Sequence, residues 1–290
     1  MIYTILLLGS EGQLGKSLRT ETEILPEHTY HFIYRDIETL DITDPEALRK
    51  IVEENSVNVI VNAAAYTAVD KAEEDAETAF AVNALAVAKL AELAREKNIY
   101  LIHISTDYVF DGKATKPYRP EDAVNPVSVY GKSKAAGETA IAQSGSDAAI
   151  IRTSWLYSPY GHNFVKSIHK ASQEHKTLRV VNDQTGAPTY ARDLARAIIK
   201  LIGKPELHHG LRIYHFANEG AVTWYDFATE IVRMNGTDCT VQPIATEEYP
   251  TAAIRPKYSV FELTKIKEEL GITIPDWKSS LKDMMNQLIL

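Results

Sequence analysis

The sequence predicts an α/β fold: a doubly wound parallel sheet carrying a smaller, partly inserted lobe. Three observations predict it. Short apolar runs alternate with longer stretches of helical spacing through the first half of the chain, as in strands buried on both faces and joined by helices. The first apolar run leads straight into a glycine-punctuated turn and then a helix. Past Ser154 the rhythm loosens, and Pro243, Pro250, Pro256 and Pro275 punctuate the tail, which reads as a lobe discontinuous in sequence.

Taken in order, residues 5–8 are the first strand and residues 13–20 the first helix. Residues 31–34 form a second strand. Asp44 and Pro45 open the next helix, the one as N-cap and the other at the first helical position. Residues 57–62 are the third strand. Residues 76–97 place Phe80, Leu85, Leu90 and Leu93 at helical spacing. Residues 100–105 read as strand, 128–143 as helix and 148–151 as strand. In the second half, 178–181 and 212–216 are strand candidates, and 190–201 and 224–234 helix candidates.

Composition excludes several classes. The 290 residues are 45% hydrophobic and 24% charged, enough to bury a core without metal or disulfide support. The 31 basic against 39 acidic residues give a net charge of −8, which argues against a nucleic-acid partner. Cys239 is the only cysteine, so no disulfide framework exists. No run of eighteen apolar residues is present. The apolar start has no basic leader-like flank; it reads as a buried strand, and the protein as cytoplasmic, without a membrane partner.

Gly9, Gly12 and Gly15 follow the first strand at Gly-x-x-Gly-x-x-Gly spacing and enter the first helix. Glycines there permit positive φ and close approach of backbone to a pyrophosphate seated on the helix N-terminus. This strand–loop–helix context points to a Rossmann-type dinucleotide site. Ala63, Ala64 and Ala65, at the end of the third strand, leave room for a flat ligand. Past the second strand, Arg35 suits a 2′-phosphate and Asp36 suits ribose hydroxyls, so NADPH and NADH both fit. Residues 1–154 are then the nucleotide-binding domain, with parts of 178–218 added; 155–177 and 219–290 are the substrate-binding lobe.

Tyr130 and Lys134 stand four apart on one helix face. A neighbouring ammonium lowers a phenol pKa toward neutrality, and such a tyrosine can hand a proton to a carbonyl oxygen as hydride reaches the carbon. Thr106, ending the strand Ser105-Thr106-Asp107, offers a hydroxyl to the same oxygen.

These residues resemble the extended short-chain dehydrogenase/reductase superfamily. Further stretches are more specific: VNAAAYTAVDKAE at 61–73, STDYVFDG at 105–112, RTSWLY at 152–157, GHNFV at 161–165, DQTGAPT at 183–189 and RPKYS at 255–259. In this order they resemble the dTDP-4-dehydrorhamnose reductase family over nearly the whole chain. The resemblance implies reduction of the C4 ketone of dTDP-4-dehydro-L-rhamnose with NADPH or NADH. It implies that Tyr130 is the proton donor, that Lys134 holds the nicotinamide ribose, and that Thr106 hydrogen-bonds the ketone. Gly12, Gln13 and Leu14 would cover the pyrophosphate, Asp41 and Ile42 flank the adenine, and Ala65, Tyr66 and Thr67 the nicotinamide half. Asp107, Trp155, Asn163 and Arg255 would face the dTDP-sugar, Arg255 by forking onto phosphate.

Some members form a metal-linked dimer through carboxylates. Here Arg192 stands near where one carboxylate is expected, so no metal site is expected, and monomer and homodimer both remain open. A dehydratase or epimerase on this scaffold is the first rival reading. A dehydratase commonly carries Asp-Glu after the threonine, whereas here Asp107 is followed by Tyr108. A non-catalytic NADP-binding regulatory subunit is the second rival; it has no need of Tyr130 and Lys134.

Overall fold

The computed structural model describes residues 3–25 and 30–288. Strand β1 (Tyr3–Leu8) runs into helix α1 (Gln13–Thr22), followed by β2 (Tyr30–Arg35), α2 (Pro45–Asn55) and β3 (Val59–Asn62). The helical stretch after β3 is interrupted. It comprises α3 (Ala76–Phe80), a π turn at Ala81–Leu85 and α4 (Ala86–Lys97). Then come β4 (Tyr100–Thr106), α5 (Val129–Ser144) and β5 (Ala148–Thr153). Asp44 accepts from the N–H groups of Glu46 and Ala47 at 3.0 Å and so starts α2. Ser128 does the same for α5 through Gly131 N–H at 3.1 Å.

The second half contains β6 (Leu156–Tyr157), α6 (Phe164–Glu174), β7 (Thr177–Val181), β8 (Thr185–Gly186), β9 (Thr189–Tyr190), α7 (Ala191–Ile202) and β10 (Leu211–Phe216). It ends with β11 (Val222–Thr223), α8 (Trp224–Asn235), β12 (Thr240–Ile244), α9 (Thr264–Leu270) and α10 (Trp277–Leu288). No helix among the described residues is long and apolar enough to cross a membrane.

Six strands form one parallel sheet in the order β10-β5-β4-β3-β1-β2. Successive strand residues point to opposite faces, and each face is covered. Ile5, Leu7, Val61 and Ile151 pack with Leu14 and Leu18 of α1 and Leu194 and Ile198 of α7. Leu6, Leu8, Ile60 and Ile150 pack with Leu48 of α2 and Leu90 of α4. This double cover is why these strands read as unbroken apolar runs. The chain winds outward from β1 to β2, then returns to the other side of β1 as β3. The reversal leaves a crevice beyond the carboxyl ends of β1 and β3, where ligands bind in such sheets.

A separate core gathers Tyr157, Val165, Tyr190, Phe227, Ile231, Trp277 and Met284 from the second half. There β7 pairs with β12 outside the main sheet, whereas β10 joins the main sheet beside β5.

Candidate active site

The glycine loop borders the crevice at the ends of β1 and β3, with Gly9 against Ala63 and Ala64. Gly9 has φ +76°, and a Cβ there would lie 2.6 Å from Ala64 N. A Cβ on Gly15 would lie 2.2 Å from the Gly9 carbonyl oxygen. Both glycines are therefore required by backbone packing. Gly12 differs: its added Cβ would meet only Gly9 O, at 3.3 Å, and would otherwise stand in the open cradle. Helix α1 has Gly12 as its N-cap, with no side-chain cap bond and no acid in its first turn. Its positive end is left for an anion. We expect Gly15→Ala to abolish measurable NADPH binding in a fluorescence titration, because the clashing Gly9 and Ser10 atoms are all backbone, so the loop itself must shift. Binding retained within about twofold would show that the loop is not the pyrophosphate seat.

Of the expected cofactor residues, Asp36, Ala63 and Ala64 meet this loop directly. Leu14 is buried in the core, so only its backbone can face a ligand. Asp36 accepts from Glu11 N–H in the loop at 2.8 Å, and Arg35 lies beside it, donating to Tyr34 O at 2.8 Å. Asp41 accepts from Thr43 at 2.9 Å, and Ile42 is a core residue. Ala63, Ala64, Ala65, Tyr66 and Thr67 continue from β3 along the crevice, the first four of them half-buried and Thr67 exposed.

The π turn supplies a residue that sequence reasoning missed. Asn83 accepts from Tyr66 N–H at 2.9 Å and donates to Tyr66 O and Ser133 Oγ at 3.0 Å each. It thereby joins the loop after β3 to α5. A Cβ on Gly137 would fall 2.2 Å from Asn83 O, so α5 passes this turn in backbone contact. The available signal was an amide in an apolar helical stretch, where its hydrogen-bonding groups need local partners; π turns favour functional sites.

Tyr130 and Lys134 lie on the inner face of α5, 8% and 2% exposed. Thr106 beside the Tyr130 phenol eases its ionisation, but burial dominates and pushes Tyr130 up to about 12. This corrects the expectation of a phenol drawn toward neutrality by Lys134. The Lys134 side chain turns to β4 instead, with Nζ 2.6 Å from Ile104 O and 3.3 Å from His103 Nε2. Burial lowers Lys134 to about 8. Tyr130 is therefore fully protonated at neutral pH, which suits a proton donor.

Asp107 follows Thr106 and receives its hydroxyl at 3.0 Å. The other oxygen, Oδ2, is buried without a hydrogen-bond partner. Burial raises Asp107 from 3.8 to about 6, against weaker lowering by Ser259 and Thr106. The folded state thus binds the proton more tightly than the unfolded one, so stability falls as pH rises from about 3.8 through about 6. We expect Asp107→Asn to stabilise the protein above pH 6 by up to about 3 kcal/mol and not below about pH 4, read from urea unfolding at several pH values. A loss of stability at pH 7 would mean that the carboxylate is satisfied in the fold.

Motifs far apart in sequence meet beside Asp107. Ser259 N–H donates to Thr185 O at 2.8 Å, and Tyr258 N–H to Gly112 O at 3.1 Å. A Cβ on Gly186 would strike the Trp155 ring at 2.7 Å and Ser259 Oγ at 2.8 Å. Trp155 has φ +47°. The other two non-glycine residues with positive φ among those described, Ser56 and Asn98, end helices; Trp155 does not. Its ring lies flat on Trp224 at 3.5 Å, holding a strained backbone worth about 1–3 kcal/mol in place.

Two expected substrate residues are engaged within the protein. Asn163 Nδ2 donates to Gln13 Oε1 at 2.9 Å and Ser158 O at 2.8 Å, while Oδ1 caps α6 through Lys166 N–H. Asn163 therefore braces the glycine loop against the second core. Arg255 places its fork on Asp70, at 2.9 and 2.7 Å, holding that carboxyl down at about 2. Among the described residues, no group of three or more metal-ligating side chains forms. Arg192 hydrogen-bonds Glu21 and pairs with Asp283 at 3.4 Å.

The family profile described as "RmlD substrate binding domain" matches residues 3–290. The chain belongs to this family. It is 40% identical over 289 residues to the dTDP-4-dehydrorhamnose reductase of Aggregatibacter actinomycetemcomitans, covering 97% of each chain. A crystal structure of a dTDP-4-dehydrorhamnose reductase from Clostridium acetobutylicum superposes with a TM-score of 0.92 at 41% identity, covering 99% of this chain and 100% of that one. The Bacillus anthracis enzyme of the same name, solved in complex with NADP, gives 0.93 at 36% identity, covering 99% and 100%. The RmlD family match spans both cores, including the residues that converge around Trp155, Gly186 and Ser259.

Proposed function

We propose that this protein reduces the C4 ketone of dTDP-4-dehydro-L-rhamnose to dTDP-L-rhamnose with NADPH or NADH. The observation that carries the reading is the buried group of Thr106, Tyr130 and Lys134 beside an uncapped glycine cradle, within a chain of this family.

The residues fit a dinucleotide. The cradle at Gly12 is open where a side chain would fill it. Backbone of Gly12, Gln13 and Leu14 holds the pyrophosphate; Arg35, Asp36, Asp41 and Ile42 take the adenosine end; Ala63, Ala64, Ala65, Tyr66 and Thr67 line the nicotinamide end. When bound, the cofactor supplies hydride to the carbonyl carbon. Thr106 Oγ1 and the Tyr130 phenol orient the ketone oxygen, and Tyr130 delivers its proton there. Lys134 steadies the nicotinamide ribose. Trp155, stacked on Trp224, offers the deoxysugar an apolar wall. Arg255, already forked on Asp70, presents guanidinium charge toward the diphosphate. We place the cofactor domain at 1–154 with parts of 178–218, and the substrate lobe at 155–177 and 219–290.

The test follows NADPH absorbance with purified protein and dTDP-4-dehydro-L-rhamnose, with NADH in parallel. Sugar-dependent oxidation supports the reading and ranks the cofactors. No oxidation with either, from protein shown to be folded, would overturn it.

A further inference from the structure

A buried hydrogen-bond chain runs beneath the catalytic helix, and its direction is fixed at both ends. It begins at Ala64 N–H, 3.2 Å from Asn62 Oδ1. A backbone N–H only donates, so the Asn62 atom facing His103 is the amide nitrogen, 3.1 Å from His103 Nδ1. An amide nitrogen only donates as well, so Nδ1 accepts and carries no proton. A neutral imidazole with Nδ1 bare carries its proton on Nε2. That proton points at Lys134 Nζ, 3.3 Å away. An ammonium has no lone pair to receive it; a neutral amine does. The chain closes where Nζ donates to Ile104 O at 2.6 Å. Asn62 and His103 are register partners on β3 and β4, both fully buried, so the chain cannot reverse by solvent exchange at either residue.

We infer that Asn62 and His103 favour the uncharged amine of Lys134 in the cofactor-free protein, and that dinucleotide binding in alkaline solution takes up a proton from solvent onto Lys134. His103 is a positioning residue here, acting through Lys134. The second half of the inference rests on the proposed place of Lys134 at the nicotinamide ribose. Ribose hydroxyl oxygens accept hydrogen bonds and the dinucleotide is anionic, so both favour an ammonium that turns away from His103.

The surrounding charges leave room for this switch. From α5, Glu138 favours the charged lysine, but its carboxylate is bound by Arg152 of β5 at 2.7 Å and by Ser105 of β4 at 2.5 Å. Tyr130 of α5 is protonated at neutral pH. Asp107, past the end of β4, faces Tyr130. From β3 and the π turn come the neutral amides Asn62 and Asn83. Burial disfavours the charged forms of both His103 and Lys134.

The test uses the full chain with carbon-13-labelled lysine and follows the Lys134 side-chain NMR signal against pH without cofactor, assigned by its loss in Lys134→Met. The expected midpoint is about 8. His103→Gln presents an amide in the same sense, accepting from Asn62 and donating to Lys134, and should leave the midpoint in place. His103→Leu removes the donor. Asn62→Asp turns the imidazole round, so that Nε2 accepts from an ammonium. Both should raise the midpoint by about one unit or more. Either variant suffices if the other fails to fold. A wild-type midpoint near the ordinary lysine value, or one unmoved in these two variants, overturns the inference.

Calorimetry of NADPH binding at about pH 9, in two buffers of different ionisation enthalpy, then reads proton uptake; about one proton is expected. Binding without uptake overturns the coupling. If the NMR midpoints behave as expected but NADPH does not bind at all, the cofactor assignment fails while the hydrogen-bond chain stands.

Discussion

Tyr130→Phe lowers kcat for sugar-dependent NADPH oxidation by roughly a thousandfold, within the range that a positioned general acid contributes, and leaves NADPH affinity within about twofold. The hydroxyl is the only atom removed, and the ring stays packed edge-on against Tyr108 at 5.5 Å. Burial pushes the phenol up to about 12 in the cofactor-free protein, so the donor is loaded across the neutral range. The variant loses turnover at every pH rather than shifting an optimum. Steady-state kinetics and a separate cofactor titration distinguish the roles. Loss of NADPH affinity equal to the loss of turnover would make Tyr130 a structural residue, and the proton donor would have to be sought elsewhere.

The parts of this site legible in the sequence were those set by backbone rules. The apolar runs at 5–8, 57–62 and 148–151 could only be strands covered on both faces, and the glycine spacing after the first run fixed the crevice. Side-chain direction was less legible. Spacing of four puts Tyr130 and Lys134 on one face, but spacing is silent on rotamer, and Lys134 bends to Ile104 O and His103 rather than toward the phenol. His103 and Asn62 sat unnoticed inside strand runs, because their partners lie on neighbouring strands or on α5. Asn83 was hidden by reading 76–97 as one helix; its break depends on contacts to Tyr66 and Ser133 that no local pattern encodes. The parallel pairing of β7 with β12 joins segments about sixty residues apart. The strained Trp155 has no glycine to announce it.

Arg152→Met should cost about 3–5 kcal/mol of folding stability, the usual result of leaving one member of a buried ion pair alone. Arg152 is held at every polar atom. Nε and one amino group bind Glu138 at 3.0 and 2.7 Å, the other amino group reaches Pro120 O at 3.2 Å and His215 at 3.4 Å, and the guanidinium lies 5.0 Å from the Phe110 ring centre. Glu138 also receives the Ser105 hydroxyl at 2.5 Å. The pair therefore latches α5 onto β4 and β5, one helical turn from Lys134 and one residue from Thr106. Removing both charges is a different matter from removing one. In Glu138→Leu/Arg152→Met no charge is left buried, and apolar side chains of similar length can fill the space, so urea unfolding should show most of the loss regained. Additive losses in the double variant would mean that the two residues contribute separately, through packing and not as a pair. Recovered stability does not restore the fixed seat of α5, because the Ser105 hydroxyl and Pro120 carbonyl both lose partners. The double variant should therefore fold near wild-type strength yet turn over sugar more slowly, with the change in kcat larger than that in KM, since the Tyr130 and Thr106 hydroxyls must meet one oxygen atom and small displacements of α5 part them.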